Sequence, residues 1–294
     1  LRPTYIANRR SFNTVVIDPG HGGHDSGTRN RISREADINL SVGKKLRDRL
    51  KTMGYQVVMT RDTDNFIALQ DRVRIANRHN NAIFISIHFN DGGSSARGVE
   101  TFTLAPAGTS SSMSRNIRHD ALQGNAQDSM NIALATAVQG HMLKGPLAIK
   151  EGISMVDRGI KRARYSVLCT IKHPAILVEG GFMSNPQEAL LIATERYQNF
   201  MASSLAAAVH QYRAERAEFR TCPRASLQQH EHHPHPRPGR LPGNPAVPGT
   251  TGPGPSGRPG QGKRTVAAGT CRGLNHRAYT EPRQPAPRFR ASLS

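Results

Sequence analysis

The sequence predicts an α/β fold: a mostly parallel twisted sheet with helices on both faces, as a single domain followed by a C-terminal tail. Three observations carry this. Short apolar or β-branched runs at 15–17, 55–60 and 82–87 each stop abruptly, as buried strands do. Between them lie segments whose apolar residues recur at helical spacing, and this strand, helix, strand rhythm implies parallel pairing through crossovers. Composition then changes past residue 216, where Pro and Gly accumulate and apolar periodicity ends.

Residues 1–13 read as a polar, basic arm leading into the first strand. That strand, Val15, Val16 and Ile17, breaks at Asp18-Pro19-Gly20, which places His21 at its carboxyl end. In open α/β sheets this is the edge where ligands collect. Glu35 then opens a helical pattern continued by Ile38, Val42, Leu46 and Leu50 and stopped by Gly54. A second strand spans 55–60, and a second helix carries Leu69, Val73 and Ala76. The third strand, 82–87, ends at His88.

A fourth, alternating strand is expected over 99–104, at an edge of the sheet. Residues 105–127, rich in Ser, Asn and Gly, read as a long surface loop near the carboxyl edge of the sheet. Helical spacing resumes at 128–143 through Met130, Ile132, Ala135, Val138 and Met142. Strands are then expected at 165–168 and at 175–178, the latter breaking at Glu179-Gly180-Gly181. A last helix over 195–213 closes the core with Phe200, Leu205 and Val209. The expected organisation is an arm at 1–13, a globular domain at 14–216 and a low-complexity tail at 217–294 without a packed core. The tail composition fits a flexible linker and equally an out-of-frame translation.

The chain has 294 residues and a net charge of +19. A basic balance suits an anionic polymer such as nucleic acid, a membrane surface or a cell wall. Nucleic acid is not favoured: zinc-finger spacing, aromatic-rich ribonucleoprotein motifs and a long basic helix are all missing from the sequence. The three cysteines, Cys169, Cys222 and Cys271, lie too far apart for a C-x-x-C metal site or a disulfide framework. No uncharged stretch is long enough to span a bilayer. A secretion signal removed ahead of Leu1 fits the start of the chain.

Four residues then stand out. His21, His88 and Glu179 each follow a strand, and Glu35 opens a helix beside the first, so neighbouring parallel strands bring them to one edge. Two imidazoles and one carboxylate leave a tetrahedral zinc ion an open position for water, which is a hydrolytic rather than a structural site. A second, unligated carboxylate then serves as general base and acid. Each residue alone has a plainer reading, a hydrogen-bonded His or a solvated Glu at a strand end, and the convergence carries the case. His24 is an alternative ligand to His21, past the turn and toward solvent. His79, His141, His173 and His210 are expected on the surface, and the run His230, His232, His233 and His235 lacks a rigid frame.

Several stretches, D-P-G-H-G-G at 18–23, E-A-D-I-N-L from Glu35, R-x-x-x-A-N at 72–77, S-I-H-F-N at 86–90, D-R-G-I-K at 157–161 and I-L-V-E-G-G-F-M-S-N at 176–185, together resemble the catalytic domain of zinc-dependent N-acetylmuramoyl-L-alanine amidases of the type-3 kind. The resemblance covers about 14–213. It implies an exported cell-wall hydrolase, an autolysin of the periplasm or wall, that cleaves the amide between N-acetylmuramic acid and L-alanine of the stem peptide. It also implies one Zn²⁺ ion held by His21, Glu35 and His88, with Glu179 as the catalytic glutamate and Asn90 touching substrate or turning the chain. The partner is peptidoglycan, with a protein activator in some relatives; a monomer is expected, and the basic surface would help hold it on the wall. H-F-N-D stands at 88–91 where relatives often have H-x-N-A. Residues 105–127 have the length of an autoinhibitory insert but are nearly free of acids. Rival readings are a zinc carboxy- or endopeptidase acting on stem peptides and a non-catalytic wall-binding module.

Overall fold

The computed structural model describes residues 12–112 and 125–218. The tail, most of the arm and the middle of the 105–127 segment lie outside these. In chain order the elements are β1 (Thr14–Pro19), α1 (Glu35–Thr52), β2 (Gln56–Met59), α2 (Leu69–Asn77), β3 (Ala82–Asn90), β4 (Val99–Leu104), α3 (Asp128–Lys144), α4 (Pro146–Glu151), β5 (Asp157–Ala163), α5 (Ser166–Cys169), β6 (Ala175–Phe182), α6 (Pro186–Ile192) and α7 (Glu195–Glu218).

The strands form a six-stranded sheet in the order β2-β1-β3-β6-β4-β5. β2, β1, β3 and β6 run parallel, β4 is antiparallel to β6, and β5 is parallel to β4. Alternation along each strand sends side chains to two cores. Val15, Ile17, Ile83, Ile85, Ile87, Ile176 and Val178 pack with α1, α3 and α7 on one face. Val16, Phe84, Phe102 and Leu177 pack with α2 and α5 on the other. The α/β expectation with both faces covered is therefore met. Phe12 already belongs to the larger core, fully buried against Tyr55 and Tyr212.

The topology also fixes where a site must form. From β1 the chain leaves through α1 to β2 on one side, whereas from β3 it proceeds to β4 on the other. The connections diverge between β1 and β3, which opens a crevice at the carboxyl ends of these strands.

Two expectations are corrected. The fourth strand is not at the edge: all six residues of β4 are buried and it sits between β6 and β5. The edge strand is β5, D-R-G-I-K-R-A, whose charges blunt an open edge and also hide the strand from a hydrophobic reading. Its outer side is pinned by the described start of the long loop, through Ser112 N to Arg162 O at 2.7 Å and Arg164 N to Ser111 Oγ at 3.1 Å. Residues 165–168 do not form a strand either. Leu168 N and Cys169 N both donate to Tyr165 O, closing the helical turn α5, whose Val167 and Leu168 fill the smaller core. A short apolar run does not distinguish the two by its period.

Two short helices were also not anticipated. α6 starts at Asn185, whose side chain accepts from Gln187 N and Glu188 N, with Pro186 in its first turn. α4 is bounded by Pro146 and by Gly152 in the left-handed region.

Candidate functional site

The site begins in the sharp turn after β1. His21 takes φ of 60°, a left-handed conformation that a non-glycine residue adopts only when its surroundings impose it. Here two buried guanidinium groups hold the turn's carbonyls. Arg61 donates to Pro19 O at 2.9 Å and Gly20 O at 2.8 Å, and Arg72 donates to Pro19 O and His21 O at 2.7 Å each. Arg72 is anchored in turn by Asp18, at 2.8 Å, whose carboxylate also accepts from Thr60 and Ser86. Burial alone would raise the Asp18 carboxyl, but the Arg72 charge and these hydrogen bonds outweigh it and hold it below the ordinary value of 3.8.

His88, near the end of β3, lies directly under this turn. A Cβ on Gly20 would sit 2.1 Å from His88 Cε1, so only glycine lets the imidazole in. Glu35 is supplied by the first turn of α1 and is 2 % exposed. Its Oε1 lies 3.2 Å from His21 Nε2 and 3.0 Å from His88 Nδ1, and also accepts from Phe89 N at 3.1 Å. Its Oε2 accepts from Thr28 N at 2.9 Å. The structure thus brings His21, Glu35 and His88 together, with one potential ligand atom from each within 4.8 Å of the others and all three residues buried. Among the described residues this is the group of His, Cys, Asp and Glu able to hold a metal ion.

The surroundings fit that role. Asp25 binds the far nitrogen of His21, Nδ1, at 2.9 Å, which orients the ring and aims Nε2 at Glu35. Burial would lower the His21 pKa, yet the Asp25 and Glu35 carboxylates outweigh it and hold it at about 10. His88 is lowered by its burial. Glu35 is held well below the carboxylate range: burial opposes this, and the hydrogen bonds to both imidazoles prevail. The cluster keeps its carboxylate ionised and gathers positive charge beside it, which is where a divalent cation would compete with a proton.

Glu179 stands one strand away. In β6 it is the register partner of His88 on β3 and of Glu100 on β4, so the three side chains form a row on one face of the sheet. It is 2 % exposed, and its Oε2 has no hydrogen-bond partner among the described residues. Burial raises its pKa well above the usual carboxylate value, and the Glu35 and Glu100 charges add to that. Behind it, the buried Tyr197 hydroxyl donates to Gly180 O at 2.5 Å. A groove of about 460 Å³ opens beside the cluster, lined by Gly20, His21 and His88 and by the more apolar Phe66, Ile67 and Tyr165.

The remaining expected residues fall elsewhere. His24 is exposed and lies against Phe66, with ring centroids 4.2 Å apart, outside the metal-capable group. Asn90 is half-buried, and its amide donates to Glu100 at 2.6 Å. His79, His141 and His173 are half-buried rather than on the open surface, and His210 is exposed. The tail histidines lie outside the described residues.

The family model for N-acetylmuramoyl-L-alanine amidase (Amidase_3) matches residues 15–211. The chain belongs to this amidase family. It is 34% identical over 218 residues to N-acetylmuramoyl-L-alanine amidase AmiA of Escherichia coli K12, covering 67% of this chain and 75% of AmiA. It is 31% identical over 199 residues to the uncharacterized protein YqiI of Bacillus subtilis, covering 68% and 84% of the two chains. Its fold is similar to the crystal structure of an N-acetylmuramoyl-L-alanine amidase from Clostridium difficile 630, with a TM-score of 0.55, 32% identity and coverage of 69% of this chain and 97% of that one. The amidase family acts on peptidoglycan, and no helix among the described residues is long and apolar enough to cross a membrane. Arg61 and Asp25 are the residues a sequence reading passes over in this amidase, because they act on backbone carbonyls and on the far side of the His21 ring.

Proposed function

We propose that the chain is a zinc-dependent amidase that hydrolyses the bond between the lactyl group of N-acetylmuramic acid and L-alanine, in which His21, Glu35 and His88 hold the ion and Glu179 is the general base and acid. The observation that supports this most is the pairing of a buried His, Glu, His cluster with a buried, unpartnered carboxylate on the adjacent strand. Two imidazole nitrogens and a carboxylate oxygen are a donor set that zinc accepts with one position left open. Bound there, the ion supplies a Lewis acid for the amide carbonyl and for water.

The chain's own residues do the rest. Asp25 keeps the His21 ring oriented, and the N–H groups of Phe89 and Thr28 hold the Glu35 carboxylate in place. Glu179, held in a dry position with Oε2 available, takes a proton from the attacking water. It returns that proton to the departing alanine nitrogen as the C–N bond breaks. Burial raises the Glu179 pKa, which makes it a stronger proton acceptor than an ordinary carboxylate.

The enzyme acts as an exported monomer on the wall, with residues 14–216 as its catalytic domain. The test is a digest of purified peptidoglycan by the full chain, before and after chelation and with zinc restored, with fragments read by mass spectrometry and bound metal measured alongside. Intact stem peptides beginning with L-Ala, lost on chelation and regained with zinc, are expected. Truncated peptides that leave a stub on the glycan would instead mark a peptidase. Wall binding and metal binding without release would mark a binding module.

A further inference from the structure

Beside Glu179 the chain builds a second polar cluster that hydrolysis leaves unused. Glu100 is 1 % exposed, and its carboxylate accepts from Asn90 Nδ2 at 2.6 Å, from Arg158 Nε at 2.8 Å and from the Lys161 ammonium. Two cations flank this one buried carboxylate, and Lys161 also acts on the charge of Glu179 beside it, which leaves Arg158 as the cation turned away from the hydrolytic site. Arg158 uses only Nε on Glu100. Its guanidinium carbon lies 4.8 Å from the centre of the Phe182 ring, and its two terminal amino groups have no hydrogen-bond partner among the described residues. The nearby Glu188 does not claim them, since its carboxylate accepts from Gly98 N and Phe182 N at 2.7 Å each. The Arg158 and Lys161 side chains remain 34% and 20% exposed. A guanidinium oriented on one side and open on the other is suited to bidentate recognition of a carboxylate.

Its position sets the ligand. His88, Glu179 and Glu100 are register partners on three adjacent strands, at roughly 5 Å per strand, so Glu100 stands about 10 Å along the row from His88 and about 5 Å from Glu179, and its cations reach it from β5, the strand beyond. β5 runs with β4, opposite to β6, which puts Arg158 at the same end of the sheet as Glu179. In a peptidoglycan stem the first free carboxylate is the α-carboxylate of the second residue, D-glutamate. An extended chain advances about 3.5 Å per residue, so that group lies roughly 7 Å from the scissile nitrogen.

We propose that Arg158, oriented by Glu100 and assisted by Lys161, is the specificity-determining residue that binds the α-carboxylate of the second stem residue and favours the free acid over the amidated form. This rests on the amidase reading of the neighbouring site. The test compares kcat/KM for MurNAc-L-Ala-γ-D-Glu-L-Lys and its α-amidated counterpart, using the parent, Arg158→Gln and Arg158→Lys. The parent is expected to favour the acid by about tenfold, Arg158→Gln to bring the ratio near one mainly through KM, and Arg158→Lys to fall between. Equal rates on both substrates for the parent, or an unchanged ratio in Arg158→Gln, would overturn the proposal.

A second readout needs no turnover: calorimetric binding of the free tripeptide L-Ala-γ-D-Glu-L-Lys to parent and Arg158→Gln. Arg158-dependent binding by a protein that cleaves neither substrate would sink the amidase reading and keep the carboxylate site. Binding that is absent from the parent or indifferent to Arg158→Gln would sink the site itself.

Discussion

Replacing Asp18 by Asn removes one charge from the network that holds the His21 turn and changes almost no volume. Asp18 and Arg72 meet at 2.8 Å with side chains 1% and 3% exposed, so the variant leaves a guanidinium without its counter-charge in the interior. Breaking such a pair from one side costs about 3–5 kcal/mol. Arg72 keeps the carbonyls of Pro19, His21 and Ile67, and Thr60 and Ser86 still have a polar partner, which places the cost near ~3 kcal/mol. For a domain of this size the melting temperature should fall by roughly 6–12 °C. The pH dependence carries a second signature. The folded-state pKa of Asp18 lies below 3.8, so its stabilisation is fully present above that value and is lost as the pH falls through the folded pKa. Circular-dichroism melts of parent and Asp18→Asn at pH 7 and in steps below pH 4 should therefore show a gap that narrows in acid. A variant within about 2 °C of the parent at pH 7, or a gap that persists unchanged in acid, would mean that the Asp18 charge does not hold this turn.

Other outcomes follow from the same geometry. Asp25→Ala frees the far nitrogen of His21, and metal affinity should drop about 10–100-fold by competition with a chelating dye while the fold is retained. Gly27→Ala should remove metal binding, because its φ is +61° and a Cβ would meet Glu35 Oε2 at 2.5 Å and His21 Cδ2 at 2.6 Å; a variant with full metal content would contradict this. Tyr197→Phe takes away the hydroxyl bound to Gly180 O and should cost about 1–2 kcal/mol in denaturant unfolding, with a loss of activity if Glu179 shifts.

What the sequence makes legible here depends on how a residue acts. His21 is visible because an apolar run breaks just before it, and His88 and Glu179 because each interrupts an apolar run, although both lie inside their strands, β3 to Asn90 and β6 to Phe182, rather than after them; Glu35 is visible because it opens an amphipathic helix, and topology then brings His21, His88 and Glu35 to one crevice. β5 escapes because an edge strand carries charge where an inner strand carries apolar residues, and once it is missed β4 is taken for the edge. Residues 165–168 mislead because one helical turn and a short strand share the same apolar run. Arg61 and Glu100, and the partners of Arg72, are hidden for another reason. Buried charges are recognised by their partners, and those partners come from strands and turns distant in sequence.

The central claim is that Glu179 moves the proton while His21, Glu35 and His88 hold the ion. Glu179→Gln keeps the shape and removes the ionisable oxygen, so the direct measurement is its rate of L-Ala-terminated peptide release from peptidoglycan, taken together with its zinc content. Its rate should fall about 10²–10⁴-fold below the parent with zinc content and melting temperature retained. A rate within a few-fold of the parent, with zinc bound, would contradict the claim.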